Sequence, residues 1–347
     1  MKKEIGTTRW SGIAAVGLAC MVLFFFLAPT PMHAAEKVVK LKYSDFYPPV
    51  HPNAKLADAW CKEIEKRTNG RVAFNHYAGN TLTPPTQTYD SVTKGIADVG
   101  TSLMAYSAGR FPLTEVLSRP LGYTSGYQAT KLANAYLKKF QPKEFADTKV
   151  MYLHGTGPGL FHTKKAITST DDLKGLRLKS NAELMDLPPV VGALPVSLPI
   201  TETYDALQRG IIDGVTLPME ALKGWKIAEL VKATLLNYAF AYTASQYVVM
   251  NKDKWDALPK DVQQIIEQVN EEWMEKQAKL WDQLDKEAQE YAVSKGVKMV
   301  QVSKEEQEKW VPKVRPLLDS YVRDVKKKGL PGDEAVSFCL EYIKTHP

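Results

Sequence analysis

The residues best suited to chemistry in this 347-residue sequence are a glycine-rich segment and the two histidines beside it. Gly155–Gly159 follows a predicted strand, which is where a phosphate-binding loop would lie. Pro158 removes a backbone amide donor that a phosphate would need, and residues 160–163 lack a helical pattern. We therefore interpret the segment as a linker. His154 and His162 flank it and could line a cleft, but a structural role is the simpler interpretation for each.

No known catalytic motif accompanies these residues. The sequence lacks a Gly-x-Ser-x-Gly elbow, His-Glu-x-x-His, Cys-x-x-Cys and a phosphate-binding Gly-Lys-Ser/Thr. The histidines are not spaced as metal ligands, and Asp171-Asp172 precedes a predicted turn, where it would cap or be solvated. We therefore predict a protein that is not an enzyme, with no catalytic residues, no metal and no cofactor.

The first 35 residues have the pattern of a secretory signal peptide. Lys2, Lys3 and Arg9 form a positive start, the apolar run 13–27 follows, and small residues end the segment near Ala35. That run is shorter than the roughly 20 apolar residues of a membrane span. We predict that residues 1–35 are cleaved and that the mature protein is exported to the periplasm.

Charge and cysteine content exclude two further classes. Lys and Arg outnumber Asp and Glu by 45 to 39, which is far from the concentrated basic charge of a nucleic-acid-binding protein. Three cysteines are too few for a disulfide scaffold. After the predicted cleavage Cys61 and Cys339 remain, and they either pair or stay buried as small apolar side chains.

Strand-like and helix-like segments alternate through residues 38–153, which predicts an α/β architecture with largely parallel strands. The apolar positions of residues 261–293 continue without a Gly or Pro, so they predict one helix about 50 Å long. A helix of that length would have to lie across two lobes. Two shorter helices with an unseen break are the alternative.

An internal similarity also indicates two lobes. YDSVTKGIAD at residues 89–98 resembles YDALQRGIID at residues 204–213. Each segment reads as the end of a helix, a Gly in the left-handed conformation and the entry to a buried strand. Chance similarity is the alternative, since two short matches do not establish duplication.

Several segments together resemble the DctP-type substrate-binding proteins of tripartite ATP-independent periplasmic (TRAP) transporters. The two most specific are DLKGLRLK at 172–179 and ETYDALQRGIIDG at 202–214. Shorter matches lie at 51–52, 65–72, 95–100, 109–112, 251–255 and 258–259. Each motif is weak alone, but their order and spacing extend from about residue 38 to 300.

The resemblance implies a two-lobed, type II periplasmic-binding-protein-like α/β fold with a cleft between the lobes and a long helix spanning both. We predict that residues 36–155 and about 246–347 form lobe I, and that residues 156–245 form lobe II. The implied function is to capture a small organic acid in the periplasm and deliver it to the membrane permease subunits of a TRAP transporter, as a monomer and without a nucleic-acid partner. A ligand-sensing module for a signalling receptor and an exported enzyme of this fold are the alternatives.

One departure from the family concerns the carboxylate clamp. The family carries an Arg in the strand after its Leu-Lys-Gly motif, whereas this sequence has Lys179 at that position. Lys offers a point charge where Arg makes two parallel hydrogen bonds. Arg177 shares a strand face with Lys179 and either assists it or faces solvent. The family's Asn-Pro pair is replaced by Leu217-Pro218, which makes the expected cleft less polar.

Aromatic residues occur where the resemblance places the cleft. Each of them taken alone is more readily explained as a core residue, because aromatic side chains dominate protein cores. As a set they indicate a solute with an apolar or aromatic body and a carboxylate. The predicted ligand-binding residues are Lys179, Arg177, Phe46, Tyr47, Tyr106, Pro218, Trp225 and Phe240.

Overall fold

The structure, a computed structural model, describes Met1 and residues 38–347. Apart from Met1, the predicted signal peptide 1–35 lies outside the described residues. Among the described residues, no helix is both long enough and apolar enough to cross a membrane.

The described chain alternates between strands and helices. The strands are β1 (Val39–Asp45), β2 (Val72–Tyr77), β3 (Val99–Leu103), β4 (Thr148–Gly155), β5 (Gly159–Thr163), β6 (Arg177–Ser180), β7 (Leu194–Ser197), β8 (Gly214–Pro218), β9 (Ala233–Leu236), β10 (Ser245–Asn251) and β11 (Lys298–Gln301). The helices are α1 (Pro52–Arg67), α2 (Thr88–Thr93), α3 (Gly126–Phe140), α4 (Leu187–Val190), α5 (Ile200–Gln208), α6 (Ala221–Gly224), α7 (Lys252–Asp256), α8 (Lys260–Ser294), α9 (Lys304–Lys327) and α10 (Gly332–Thr345).

These strands form two mixed sheets, one in each lobe. The first sheet has the order β2-β1-β3-β10-β4, and the second has the order β11-β9-β5-β8-β6-β7. Pairing is parallel among β1, β2 and β3 and among β6, β7 and β8, but β10 and β5 run antiparallel to their neighbours. The expectation of largely parallel pairing therefore fails where the chain crosses between lobes.

The chain crosses between the sheets on two adjacent segments. β4 ends at Gly155 and β5 begins at Gly159, so the glycine-rich segment is a crossover and the linker interpretation is confirmed. The return segment lies between β9 and β10. The two crossovers contact each other where the Gly159 amide donates a hydrogen bond to the Tyr242 carbonyl, 2.8 Å away.

The long helix is continuous and contacts both lobes, as its apolar pattern predicted. α8 has 35 residues and packs on α1, α3 and β4 of the first lobe and on α6 of the second. An apolar cluster at this junction contains Phe46 of the first lobe, Leu217 of the second and Trp281 of α8. The helix therefore supports the region where the two sheets meet.

The repeated sequence segment folds in the same way in each lobe. Gly95 and Gly210 both have a φ of +71°, the left-handed conformation that glycine adopts readily. The carboxylate of Asp98 then accepts the Lys42 amide at 2.7 Å, and that of Asp213 accepts the Arg177 amide at 3.0 Å. The similarity therefore encodes one local structure used twice.

The end of the chain departs from the predicted lobe boundaries. We placed all of residues 246–347 in lobe I, but β11 pairs in parallel with β9 in the second sheet. A helix as long as α8 carries the chain past the first lobe, so the next strand adds to the edge of the second sheet.

Cys61 and Cys339 are both buried and unpaired.

Candidate functional site

A cavity lies where the carboxyl ends of parallel strands in the two sheets face each other. The segments that follow β1, β3, β6 and β8 line it, and the two crossovers complete it. Ligands of open α/β sheets bind at such strand ends. The described lining residues are Phe46, Tyr47, Leu103, Tyr106, Thr156, Lys179, Asn181, Ile200, Leu217, Pro218, Glu220, Ala221, Trp225, Tyr242, Ala244 and Gln246.

Aromatic rings from both lobes form much of the wall. Phe46 and Tyr47 continue β1, whereas Trp225 ends the short helix α6 of the second lobe. The ring planes of Phe46 and Trp225 lie within 11° of parallel, with centroids 6.4 Å apart. Tyr106 meets Phe46 edge-on at 6.4 Å. These rings offer flat apolar surfaces on two sides of the cavity.

Lys179 supplies the positive charge of the cavity. Its side chain is buried, with 1% exposure for the residue, and Nζ donates a 2.7 Å hydrogen bond to Asn181 Oδ1. Burial lowers the pKa of Lys179 to about 7, and the nearby charge of Glu183 opposes that shift. A buried ammonium with one neutral side-chain partner is poised to pair with an incoming anion.

Glu220 is the acidic residue of the same lining. It is 4% exposed and accepts a hydrogen bond from His51 Nε2 at 2.8 Å. The backbone amide of Glu220 donates to Asp285 Oδ1 of α8 at 2.8 Å. Burial raises the pKa of Asp285 to about 8. The carboxylate of Glu220 is therefore held by His51 of the first lobe, and its backbone is held by the long helix.

Contacts join the two lobes at the cavity and beside it. The Ile200 amide donates to the hydroxyl of Tyr106, another lining residue, at 2.8 Å, and outside this lining Arg119 forms an ion pair with Asp186 at 2.9 Å. The cavity volume is about 40 Å³, whereas a cavity of roughly 150 Å³ is needed to hold a benzene ring. An organic acid therefore enters only if the lobes separate or the lining side chains move.

The structure brings six of the eight predicted ligand-binding residues to this cavity. They are Phe46, Tyr47, Tyr106, Lys179, Pro218 and Trp225. Contact between these residues and a ligand remains a prediction.

Arg177 and Phe240 lie outside the cavity lining, in contrast to our prediction. Arg177 Nε and Nη2 each donate to the Asp213 carboxylate at 2.9 Å, and Nη2 also donates to the Gly210 carbonyl. The guanidinium is thus used by the repeated local structure described above. Phe240 is buried against Phe161.

The sequence analysis did not identify several polar residues of the lining, among them Asn181, Glu220 and Gln246. Asn181 lies two positions after Lys179 on the same strand face, so its position was available from alternation. Glu220 lies two residues beyond Pro218, but no motif marked it. Gln246 is in β10, where its amide and the Tyr47 hydroxyl hydrogen-bond each other at 3.0–3.1 Å. Glu220 offsets the loss of polarity expected from Leu217-Pro218.

The histidines beside the crossover have structural surroundings. His154 Nδ1 accepts from Trp281 Nε1 at 3.1 Å, and burial lowers its pKa to about 3. His162 bonds Thr234 and the Leu217 carbonyl, and burial lowers its pKa to about 4. Neither side chain lines the cavity.

Comparison with known proteins identifies the family. Residues 43–324 match the bacterial extracellular solute-binding protein family 7, DctP. The chain belongs to this family. The predicted family membership and the two-lobed α/β fold are therefore confirmed, and the family is a solute-binding component of transport systems rather than a family of enzymes.

Three solved structures of similar fold each align with 89% of this chain, and the alignments cover almost the whole length of those proteins. A TRAP solute-binding protein from Rhodoferax ferrireducens, in complex with copurified benzoate, is 28% identical with a TM-score of 0.83 over 98% of that chain. A marine metagenome protein specific for aromatic acid ligands, in complex with 3-hydroxybenzoate, is 26% identical with a TM-score of 0.84 over 99%. A Bordetella bronchiseptica protein with bound (R)- and (S)-mandelate is 26% identical with a TM-score of 0.80 over 100%.

Proposed function

We propose that this DctP-family protein captures an aromatic monocarboxylate in the periplasm and delivers it to the permease subunits of a TRAP transporter. The observation that carries the proposal is the charge of the cavity lining. Among the described lining residues, Lys179 is the one cation and Glu220 the one anion. Lys179 balances a single carboxylate, whereas a second carboxylate would meet the negative charge of Glu220 in a desolvated site.

The aromatic walls support a planar ligand body. Phe46 and Trp225 come from different lobes and are nearly parallel, so separation of the lobes would expose two flat apolar faces on which a ligand ring can stack. Stacking of this kind adds about 0.5–1.5 kcal/mol beyond the burial of apolar area. Three relatives of similar fold carry benzoate, 3-hydroxybenzoate and mandelate, which are all aromatic monocarboxylates.

The remaining predictions form part of the same proposal. We propose that residues 1–35 are a cleaved signal peptide, that the mature protein is a monomer and that the solute leaves chemically unchanged. A sensing module could bind the same solute, and a membrane permease partner distinguishes transport from sensing. An exported enzyme is disfavoured because the family is a transport component.

A ligand screen tests the proposal. Native mass spectrometry of the purified protein identifies any copurified solute. Thermal-shift measurements with benzoate, phenylacetate, mandelate, succinate and phthalate then compare how strongly monocarboxylates and dicarboxylates stabilise the protein. We expect the monocarboxylates at one hundred times Kd to stabilise the protein by about 2.7 kcal/mol. The dicarboxylates should give no shift, and the recovered solute should be intact. Stabilisation by the dicarboxylates alone would exclude an aromatic monocarboxylate.

Binding should weaken as the pH rises through neutrality. In the ligand-free protein the pKa of Lys179 is about 7, and a bound carboxylate raises it, so binding requires the protonated form. Affinity is therefore nearly full well below pH 7 and decreases progressively as the pH rises above it. We expect the Kd for benzoate, measured by isothermal titration calorimetry, to rise about tenfold from pH 6 to pH 8.

Two variants check which group carries this pH dependence. Lys179→Arg keeps its charge throughout, so its Kd should stay constant over the same range. Glu183, whose pKa burial raises to about 8, is the other titrating group near Lys179. The Glu183→Gln variant should therefore still show the rise in benzoate Kd between pH 6 and pH 8. A wild-type Kd that does not change with pH would contradict the prediction.

A further inference from the structure

We propose that Glu220, positioned by His51, is a second recognition point in the cavity and accepts a hydrogen bond from a hydroxyl group on the aromatic acid. The inference rests on the proposed function and narrows its ligand class to hydroxylated aromatic monocarboxylates. It makes Glu220 a specificity-determining residue distinct from the Lys179 clamp.

The protonation of His51 follows from its two hydrogen bonds. Nδ1 accepts the backbone amide of Asn53 at 3.2 Å, so this nitrogen carries no proton. Nε2 is then the protonated nitrogen, and it donates to Glu220 Oε1 at 2.8 Å. A neutral imidazole is sufficient for this arrangement. His51 thus uses Oε1 of Glu220 and leaves Oε2.

Among the described residues, Oε2 of Glu220 has no hydrogen-bond partner, although the residue is 4% exposed and lines the cavity. An ionised carboxylate oxygen is an acceptor only. Once a bound ligand excludes water from the cavity, this oxygen gains from any donor that the ligand brings and opposes a ligand that brings none.

The orientation of this carboxylate is fixed by close packing. A Cβ atom at Gly224 would lie 1.8 Å from Glu220 Oε1 and 2.7 Å from His51 Nε2, so the glycine leaves room for the pair. The His51 ring packs against Tyr47 with centroids 4.5 Å apart. The Glu220 amide is bonded to Asp285 of α8. The acceptor is therefore built into the site and does not rotate freely.

The two charged groups of the lining act at separate points. No ion pair within 4.0 Å joins Lys179 to Glu220 in the described part of the chain, and Lys179 instead bonds Asn181. A ligand that satisfies both groups must carry an anion at one position and a donor at another. A hydroxyl on an aromatic ring supplies that donor without a second charge.

Calorimetry on the wild-type protein tests the inference with matched ligands. The ligands are benzoate, 3-hydroxybenzoate, 4-hydroxybenzoate and the two corresponding methoxybenzoates. We expect at least one hydroxybenzoate to bind ten times more tightly than benzoate, and its methoxy analogue, which has no donor, to lose that gain. Benzoate binding as tightly as both hydroxy isomers would overturn the inference and leave the proposed function standing. Absence of binding by every aromatic acid would overturn both.

The variant Glu220→Gln assigns the effect to the residue. Its amide can still accept from His51, while its NH₂ group would face the ligand. We expect the ratio of methoxy to hydroxy Kd values to fall at least tenfold. An unchanged ratio in a variant that melts like wild type would overturn the role of Glu220. If the variant fails to fold, the wild-type ligand series still decides.

Discussion

Replacement of Lys179 with methionine should abolish tight binding of aromatic monocarboxylates. The buried ammonium is the one cation among the described lining residues, and a desolvated carboxylate has no other counter-charge there. Removal of one member of such a pair costs about 2–5 kcal/mol, which is roughly a 30-fold to 4,000-fold increase in Kd. Calorimetry with benzoate measures the change.

The same substitution should raise the melting temperature of the ligand-free protein. The pKa of Lys179 is about 7 in the folded protein, against 10.5 as the reference value, so the fold opposes the charged form. That cost is largest below pH 7 and disappears as the pH approaches 10.5. Methionine removes the cost of the buried charge. It also leaves Asn181 Oδ1 without its hydrogen-bond donor, and this offsets part of the gain in stability. We expect a gain of about 3–8 °C at pH 6 and a smaller gain at pH 9.

Arg177→Met is the matched control on the same strand. Arg177 is bound to Asp213 outside the cavity lining, so its loss should change the benzoate Kd by less than threefold. Loss of binding in this control but not in Lys179→Met would show that the carboxylate clamp is assigned to the wrong residue. If the Lys179→Met variant binds poorly and also melts at a lower temperature than wild type, the claim that the buried ammonium destabilises the ligand-free protein is wrong.

Substitution of Gly159 by alanine should strongly destabilise the protein. A Cβ atom at this crossover position would lie 2.1 Å from Cε1 of Tyr242, well inside contact distance. The Tyr242 ring is buried and its hydroxyl donates to the Thr216 carbonyl at 2.7 Å, so it has little freedom to move. Overpacking of this kind costs about 3 kcal/mol. Urea unfolding should therefore shift to a clearly lower midpoint, and benzoate affinity should fall because Tyr242 lines the cavity.

Gly175→Ala separates this steric effect from the general loss of a glycine. Gly175 has a φ of +77°, and a Cβ atom added there would meet no neighbouring atom within 4 Å. Its replacement should cost only about 1 kcal/mol of backbone strain and leave the benzoate Kd unchanged. Equal destabilisation by the two substitutions would rule out the contact with Tyr242 as the cause.

Short-range patterns in the sequence determined much of the framework. The uninterrupted apolar repeat of residues 261–293 specified α8, because helix periodicity and the absence of breakers act within a few turns. The repeated Tyr-Asp segments specified the same glycine turn and aspartate contact in each lobe, because those hydrogen bonds form between a turn and the strand beside it. The resemblance to a known family indicated Lys179 as a residue of the cavity.

The tertiary structure alone decided the chemistry of the site. His51 and Glu220 are 169 residues apart, and only the crossovers bring them together. Arg177 and Lys179 share a strand face, yet Asp213 takes up Arg177 while the closed cavity surrounds Lys179. The lowered pKa of Lys179 and the nearly parallel rings of Phe46 and Trp225 likewise arise from contacts between distant segments. Desolvation and inter-lobe packing depend on the whole fold, so no local sequence pattern encodes them.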